Sequence, residues 1–233
     1  MDGAQAMSAN NDRNTSFVQH QIDWADLKYA LLVGAAMVSV KLIGVGAPAW
    51  HIRGQTTGII ASILTVVYIT ARSRRQPEKL DDWGLTTPLT CPILLWGLVL
   101  LSVSVGLLAA GGIIVAGSLV FKAFYLTQMV EYIPAAFPQQ FFMCSVGLAT
   151  LATLRPFSGT WRLPLLVGLL FSLAHFWTPA RIPGTIVPIQ MLLTFPAGFF
   201  AAFYFLRFRN ILPLTAIHAI AYPLLHNWIE SHL

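Results

Sequence analysis

Charged residues are scarce in this sequence. Asp, Glu, Lys and Arg together make up 10% of its 233 residues, whereas hydrophobic residues make up 56%. A water-soluble domain carries about 25% charged residues, because its surface has to be hydrated. The composition therefore argues against a soluble globular protein and predicts a membrane protein that crosses the bilayer several times.

Signals for secretion, disulfide bonding and nucleic-acid binding are also missing. Residues 1–24 are polar and contain no apolar core followed by a small-residue cleavage site, so we expect an uncleaved, cytoplasmic N-terminus. The cysteines, Cys91 and Cys144, lie in or beside apolar segments and define no disulfide framework. The net charge of +5 comes from basic residues at the ends of apolar segments, which orient helices, so no nucleic-acid partner is expected.

Long apolar segments separated by basic loops predict an all-α, polytopic membrane bundle of about seven spans. We expect residues 1–24 to form a polar tail and residues 25–233 to form a single transmembrane domain. The predicted spans cover residues 27–45, 56–71, 93–115, 135–154, 163–177, 185–206 and 211–229.

Residues 116–132 are the ambiguous part of this topology. They are apolar enough to span, but they contain Lys122 and Glu131. A crossing here would move the later arginine-rich loops outside, against the positive-inside rule. We therefore interpret residues 116–132 as an interfacial helix, with an additional span as the alternative.

Polar side chains interrupt three of the predicted spans. Gln139 and Gln140 lie in the fourth span, His175 in the fifth and His218 in the seventh. At a rise of about 1.5 Å per residue, Gln140, His175 and His218 lie roughly 22, 20 and 14 Å from the nearest predicted cytoplasmic arginine. Amides and imidazoles at this depth are costly unless they have partners, so we predict that the three segments share one buried polar site.

Structural explanations for the same residues remain open. A membrane histidine can bond a backbone carbonyl, and either glutamine can join two helices through a hydrogen bond. Cys144 fits the role of a small buried hydrophobic residue, because an apolar setting disfavours the thiolate.

The order and spacing of these residues resemble the motifs of the CPBP family of intramembrane proteases, which includes CAAX proteases and bacteriocin-processing proteins. That family carries Glu-Glu-x-x-x-Arg, Phe-x-x-x-His and His-x-x-x-Asn on membrane helices. Phe171 and His175 fit the second motif, and His218 fits the start of the third. Residues 139–144 have only the spacing of the first motif. The similarity covers residues 135–228, less than half of the chain.

The resemblance implies a glutamic-type endopeptidase in the bacterial inner (plasma) membrane. Its substrate would be a membrane-anchored protein or peptide, cut near that anchor or near a C-terminal sorting segment. In such a mechanism a glutamate and histidines activate water on the scissile peptide. The positions that the resemblance assigns to catalysis are Gln139, Gln140, His175 and His218, with Phe171, Cys144 and Tyr222 in supporting positions.

Three departures from the family pattern affect this prediction. Glutamine replaces both glutamates, Cys144 replaces the arginine and Tyr222 replaces the asparagine. Because an amide cannot accept the catalytic proton, we expect this chain to bind substrate and to cleave it slowly or not at all. It is either a naturally silent relative or a deliberately inactivated protease, and two isosteric replacements favour the second explanation.

Two other functions are compatible with the sequence. One is a non-catalytic peptide-binding or immunity protein of the same fold. The other is an exosortase-like thiol transpeptidase with Cys144 as nucleophile, His175 or His218 as base and Arg181 as the stabilising cation. Two histidines and a carboxylate would suit zinc, but amides stand in place of the carboxylate, so we expect no metal or other cofactor.

Overall fold

A computed structural model describes residues 23–46, 54–152, 161–175 and 186–232. All regular secondary structure in these ranges is helical, which confirms the all-α prediction. The helices are α1 (Trp24–Gly46), α2 (Gly54–Ser73), the short α3 (Lys79–Asp82), α4 (Cys91–Ala116), α5 (Phe124–Gln140), α6 (Ala149–Ala152), α7 (Arg162–His175), α8 (Ile186–Phe208) and α9 (Leu212–Trp228). A π-helical segment, Phe141–Leu148, joins α5 to α6, and a 3-10 turn, Glu230–His232, follows α9.

Each of the seven predicted spans overlaps a helix of the structure. Within the described residues, two helices are long and apolar enough to cross a bilayer: α4, and Met191–Phe208 within α8. Shorter apolar helices cover Gly58–Ser73 and Arg162–Leu173. The two candidate spans weakly support a membrane protein, and crossing by the remaining helices stays a prediction.

The interfacial helix predicted for residues 116–132 is wrong in its bounds. α4 ends at Ala116, where Gly117 adopts a left-handed conformation, and Lys122 lies in the loop that follows. α5 then begins at Phe124 and continues without a break to Gln140. The exposed Glu131 suggested a surface helix, but it belongs to the same helix as the glutamines.

Contacts with α2 support the part of α5 that contains prolines. Pro138 has no N–H to donate to the carbonyl of Pro134, four residues earlier. The hydroxyl of Ser62 in α2 donates a hydrogen bond to that carbonyl instead. α2 comes this close because Gly58 faces Ala135, where a Cβ on Gly58 would lie 2.9 Å from the Ala135 Cβ. α5 therefore remains helical through both prolines.

The helices pack around two hydrophobic cores. The larger core involves mainly α1, α2, the π segment, α7 and α8, and its fully buried side chains include Trp83, Phe141 and Phe205. The smaller core joins α4, α5 and α9 through residues such as Leu108 and Trp228. Since α5 packs in the smaller core and its π continuation in the larger one, Gln139 and Gln140 lie where the two cores meet.

The polar tail predicted for residues 1–24 extends two residues too far, because Asp23 and Trp24 belong to the fold. The remaining tail, residues 1–22, lies outside the described residues. Asp23 Oδ1 accepts a hydrogen bond of 3.0 Å from the Ala25 amide at the start of α1. Asp23 Oδ2 pairs with Arg72 at 2.8 Å and with Lys79 at 2.7 Å. These ion pairs connect the start of α1 with the end of α2 and with α3.

The environment of Asp23 favours its charged form. Burial by itself would raise the pKa of this carboxyl group, but hydrogen bonds from Lys79 and Arg72 outweigh that effect and lower the pKa to about 2. Arg72 at the end of α2 and Lys79 in α3 therefore have an acidic partner at the beginning of α1.

Candidate functional site

The site begins where α5 changes into the π-helical segment. A π-helix bonds each residue to the fifth one along the chain, and such segments are frequent at functional sites. Most side chains of the segment are buried, and helices α1, α7 and α8 pack against it. Ser145 donates a hydrogen bond of 2.7 Å to the Trp83 carbonyl, and the Trp83 and Phe141 rings meet edge to face at 5.2 Å. These contacts hold the backbone that follows Gln140.

The second element of the site, α9, is fixed at its beginning by Asn210. This side chain is fully buried; its amide nitrogen donates to the Thr87 carbonyl at 2.7 Å, and its oxygen accepts from the Leu212 amide at 3.0 Å. The loop after α3 thus holds the start of α9. His218 follows six residues after Leu212, on the part of α9 that packs against α5.

Gln140 and His218 form a direct contact. The amide Nε2 of Gln140 lies 2.9 Å from Nδ1 of His218, although the two residues are 78 positions apart. Gln140 is 4% exposed, and its Oε1 lies 3.8 Å from the Cys144 Sγ. An amide nitrogen only donates, so Nδ1 of His218 accepts and the proton of the neutral imidazole is on Nε2. The structure therefore brings together two residues that the sequence assigns to one site.

Gln139 contacts a different group. Its Nε2 donates to the Tyr132 hydroxyl at 3.2 Å, two turns earlier on α5. The Tyr132 ring stacks on Tyr222 with a centroid distance of 4.3 Å and meets the His218 ring edge to face at 5.8 Å. Tyr132 therefore links Gln139 with two of the predicted site residues on α9.

Tyr132 is the site residue that the sequence interpretation missed. It lies seven residues before Gln139, a spacing that puts both on one face of a helix. The assignment of residues 116–132 to a separate interfacial helix hid this relation. A continuous helix through Pro134 would have revealed it.

The contribution of α7 is described in part. The Phe171 ring lies 6.1 Å from the His218 ring, edge to face. The backbone of α7 ends at His175, but the side chain of His175 lies outside the described residues. A contact of His175 with Gln140 and His218 stays a prediction. It is based on the four-residue spacing, which places His175 on the same face of α7 as Phe171.

The surroundings of Cys144 do not favour a catalytic thiol. The residue is completely buried, with its Sγ beside the Gln140 amide oxygen. Reactive cysteines are usually partly exposed and near positive charge, which favours the thiolate. Arg181, the cation proposed for a transpeptidase, lies outside the described residues.

The donor set suits hydrogen bonding to a peptide more than metal binding. The groups brought together are two amides, an imidazole and two phenols. Among the side chains that the structure describes, no three His, Cys, Asp or Glu residues lie close enough to hold a metal ion.

No family model matches the chain, and no similar chain was found among curated proteins or solved structures. The resemblance to the CPBP motifs thus depends on the short motifs alone. Function has to be argued from the geometry of the site.

Proposed function

We propose that this chain is a multi-span membrane protein with a peptide site of the CPBP intramembrane-protease type. With glutamine at both acid positions, it binds a segment of a membrane-anchored protein and hydrolyses it slowly or not at all. The observation that carries this proposal is the 2.9 Å contact between Gln140 Nε2 and His218 Nδ1. It joins the first and third motifs in a buried setting, as a shared site requires.

Apolar outer surfaces support the membrane part of the proposal. Large hydrophobic side chains are exposed on several helices, including Leu31, Ile63, Leu95, Ile114 and Leu192. Monomeric soluble proteins rarely expose extended apolar surface, whereas a bilayer would cover it. The positive-inside rule then favours a cytoplasmic N-terminus, and a bacterial plasma membrane follows from the family resemblance alone.

The direction of the hydrogen bond explains why catalysis would be slow. A histidine acts as a general base through a nitrogen that carries a free lone pair. In this chain Nδ1 of His218 accepts from Gln140, and Nε2 carries the proton. A glutamate at position 140 would instead accept a hydrogen bond from Nδ1–H, which leaves the Nε2 lone pair for water. The amide therefore makes His218 a hydrogen-bond donor at Nε2 and not a general base.

Restoring the acids tests the proposal. The double variant Gln139→Glu/Gln140→Glu, reconstituted in liposomes, should cleave a panel of membrane-anchored peptides with C-terminal sorting segments. Adding His218→Ala or His175→Ala should abolish the cleavage. Gln128→Glu is a matched control, because it adds a carboxylate on the same helix away from His218. A restored protein that cuts none of the panel, or that still cuts without His218, contradicts the proposal.

A non-catalytic binding or immunity protein is the second candidate. Both glutamines already have hydrogen-bond partners as amides, Gln139 on Tyr132 and Gln140 on His218. A benzoylphenylalanine photocrosslinker in place of the partly exposed Tyr222 would identify what occupies the site in native membranes. Peptide capture that survives His175→Ala would favour this candidate over a protease.

A further inference from the structure

A stripe of polar side chains continues from the site along α9. His218, Tyr222, His226 and Glu230 are spaced four residues apart and so lie on one face of α9 and of the turn that extends it. Such a regular polar series is unusual in a chain this apolar. We refer to these four residues, with Asn227 beside them, as the α9 stripe.

The α9 stripe faces polar residues of α5 in antiparallel order. Tyr222 stacks on Tyr132, and one turn farther out Asn227 Nδ2 donates to the Gln128 Oε1 at 2.7 Å. Positions that increase along α9 therefore meet positions that decrease along α5. These polar contacts run along one side of the seam between the two helices, starting from Gln140 and His218, beside the apolar contacts of the smaller core.

Near its outer end the α9 stripe reaches the surface at His226, whereas the side chain of Glu230 is 7% exposed. His226 is exposed, and its Nδ1 lies 3.0 Å from Glu230 Oε2. Glu230 follows His218 by twelve residues, a rise of about 18 Å along a helix. α9 begins beside Arg209 and Thr87, so this surface lies at the opposite end of the helix from those residues.

Partial exposure distinguishes the stripe from a sealed set of interhelical bonds. Tyr222 is 36% exposed, and His218, Tyr132 and Asn227 are half-buried. On the neighbouring face of the same helix, Leu224 is 2% exposed. Polar groups that are neither sealed by protein nor hydrated would be costly at membrane depth.

We propose that the seam between α5 and the α9 stripe is a hydrated path, which supplies water to the Gln140–His218 site from the C-terminal end of α9. The stacked pair of Tyr132 and Tyr222 lies along this path, between the site and the surface at His226. This inference rests on the proposed function, because it takes Gln140 and His218 as the site where the peptide binds. Each peptide bond hydrolysed there would consume one water molecule, which the hydrocarbon does not provide.

Hydroxyl-radical footprinting of the unaltered chain in lipid nanodiscs tests the path, because radiolysis modifies side chains next to water. Tyr222 and Tyr132 should be oxidised on the order of tenfold faster than Tyr125, since hydrocarbon and sealed cores exclude water. Tyr125 is a matched control, since it is the same residue type on α5 and is buried in the apolar core. Equal oxidation of all three tyrosines would overturn the proposal.

Cysteine labelling provides a second measurement. In a Cys91→Ser background, Tyr222→Cys and Asn227→Cys should react with a charged, membrane-impermeant thiol reagent in proteoliposomes. Leu126→Cys, at an exposed apolar position of α5, and Leu224→Cys, in the core, should remain unmodified. Labelling of the stripe no faster than of these controls would contradict a hydrated path. Neither measurement requires proteolysis. A hydrated seam in a protein that never cleaves a substrate would therefore refute the protease proposal and leave the hydrated path standing.

Discussion

Two polar regions of this protein stabilise their buried polar groups in different ways. At the beginning of α1, Asp23 is a full charge held by two cations, Arg72 and Lys79. At the seam between α5 and α9, the polar groups around Gln140 and His218 are neutral and bond to one another. Formal charge is tolerated at a helix end, where water is near, whereas the middle of the helices uses amides, phenols and imidazole.

A chain of aromatic rings connects the two regions. Tyr68, whose hydroxyl donates to Asp26, stacks on Tyr29 with a centroid distance of 4.2 Å. Tyr29 meets Phe141 edge to face at 5.7 Å, and Phe141 directly follows Gln140. The charged end and the neutral site are thus parts of one packed unit, which mutations can separate.

Phe141→Ala should have the largest effect, because it interrupts the ring chain and leaves a cavity in the core. We expect a loss of about 3–5 kcal/mol in the free energy of unfolding, measured by denaturation in detergent micelles. Phe142→Ala, at the partly exposed neighbouring position, is the control. Equal losses for the two variants would mean that the ring chain does not connect the regions.

Gln140→Leu should have an intermediate effect, because it removes the partner of His218 Nδ1 within a buried site. The expected loss is about 1–1.5 kcal/mol, the net contribution of one intramolecular hydrogen bond, because His218 is half-buried. Gln139→Leu should cost less, since Gln139 is half-buried and, among the described residues, bonds to Tyr132 of its own helix. The reverse ranking in thermal denaturation would contradict the neutral hydrogen-bonded site.

Asp23→Asn should have the smallest effect, about 0.5–1 kcal/mol, because its ion pairs are partly solvated. Asparagine preserves the helix cap, so the variant isolates the charge. The pKa of Asp23 is lowered from 3.8 to about 2, so its ion pairs contribute stability above pH 3.8 that is lost as the pH falls toward 2.

The difference between wild type and Asp23→Asn should accordingly be present at neutral pH and vanish near pH 2. Glu78→Gln, at an exposed acidic position directly before α3, is the control, because no ion pair of Glu78 is present among the described residues. A constant difference across this range would show that the cations do not act on Asp23.

The sequence contained enough information for the helix positions and for one contact of the site. Apolar segment length located the helices, and matched depth brought Gln140 to His218. Hydropathy could not reveal the ion pairs of Asp23, because they join residues at least 49 positions apart. Hydropathy also divided α5 into two predicted helices at its charges and prolines. The hydroxyl of Ser62, which bonds the Pro134 carbonyl, comes from another helix and could not be foreseen from the local sequence. Because of that division, Tyr132 was not predicted as a residue of the site.

The π-helical segment after Gln140 allows one continuous helix to pack in both hydrophobic cores. Before this segment, side chains of α5 contact α9. Within it, the wider π-helical turn directs the following side chains toward α1, α7 and α8. Deleting a single residue between Phe141 and Leu148 would restore ordinary helical winding. Everything beyond the deletion would then turn by about 100° relative to Gln140, since an α-helix has about 3.6 residues per turn.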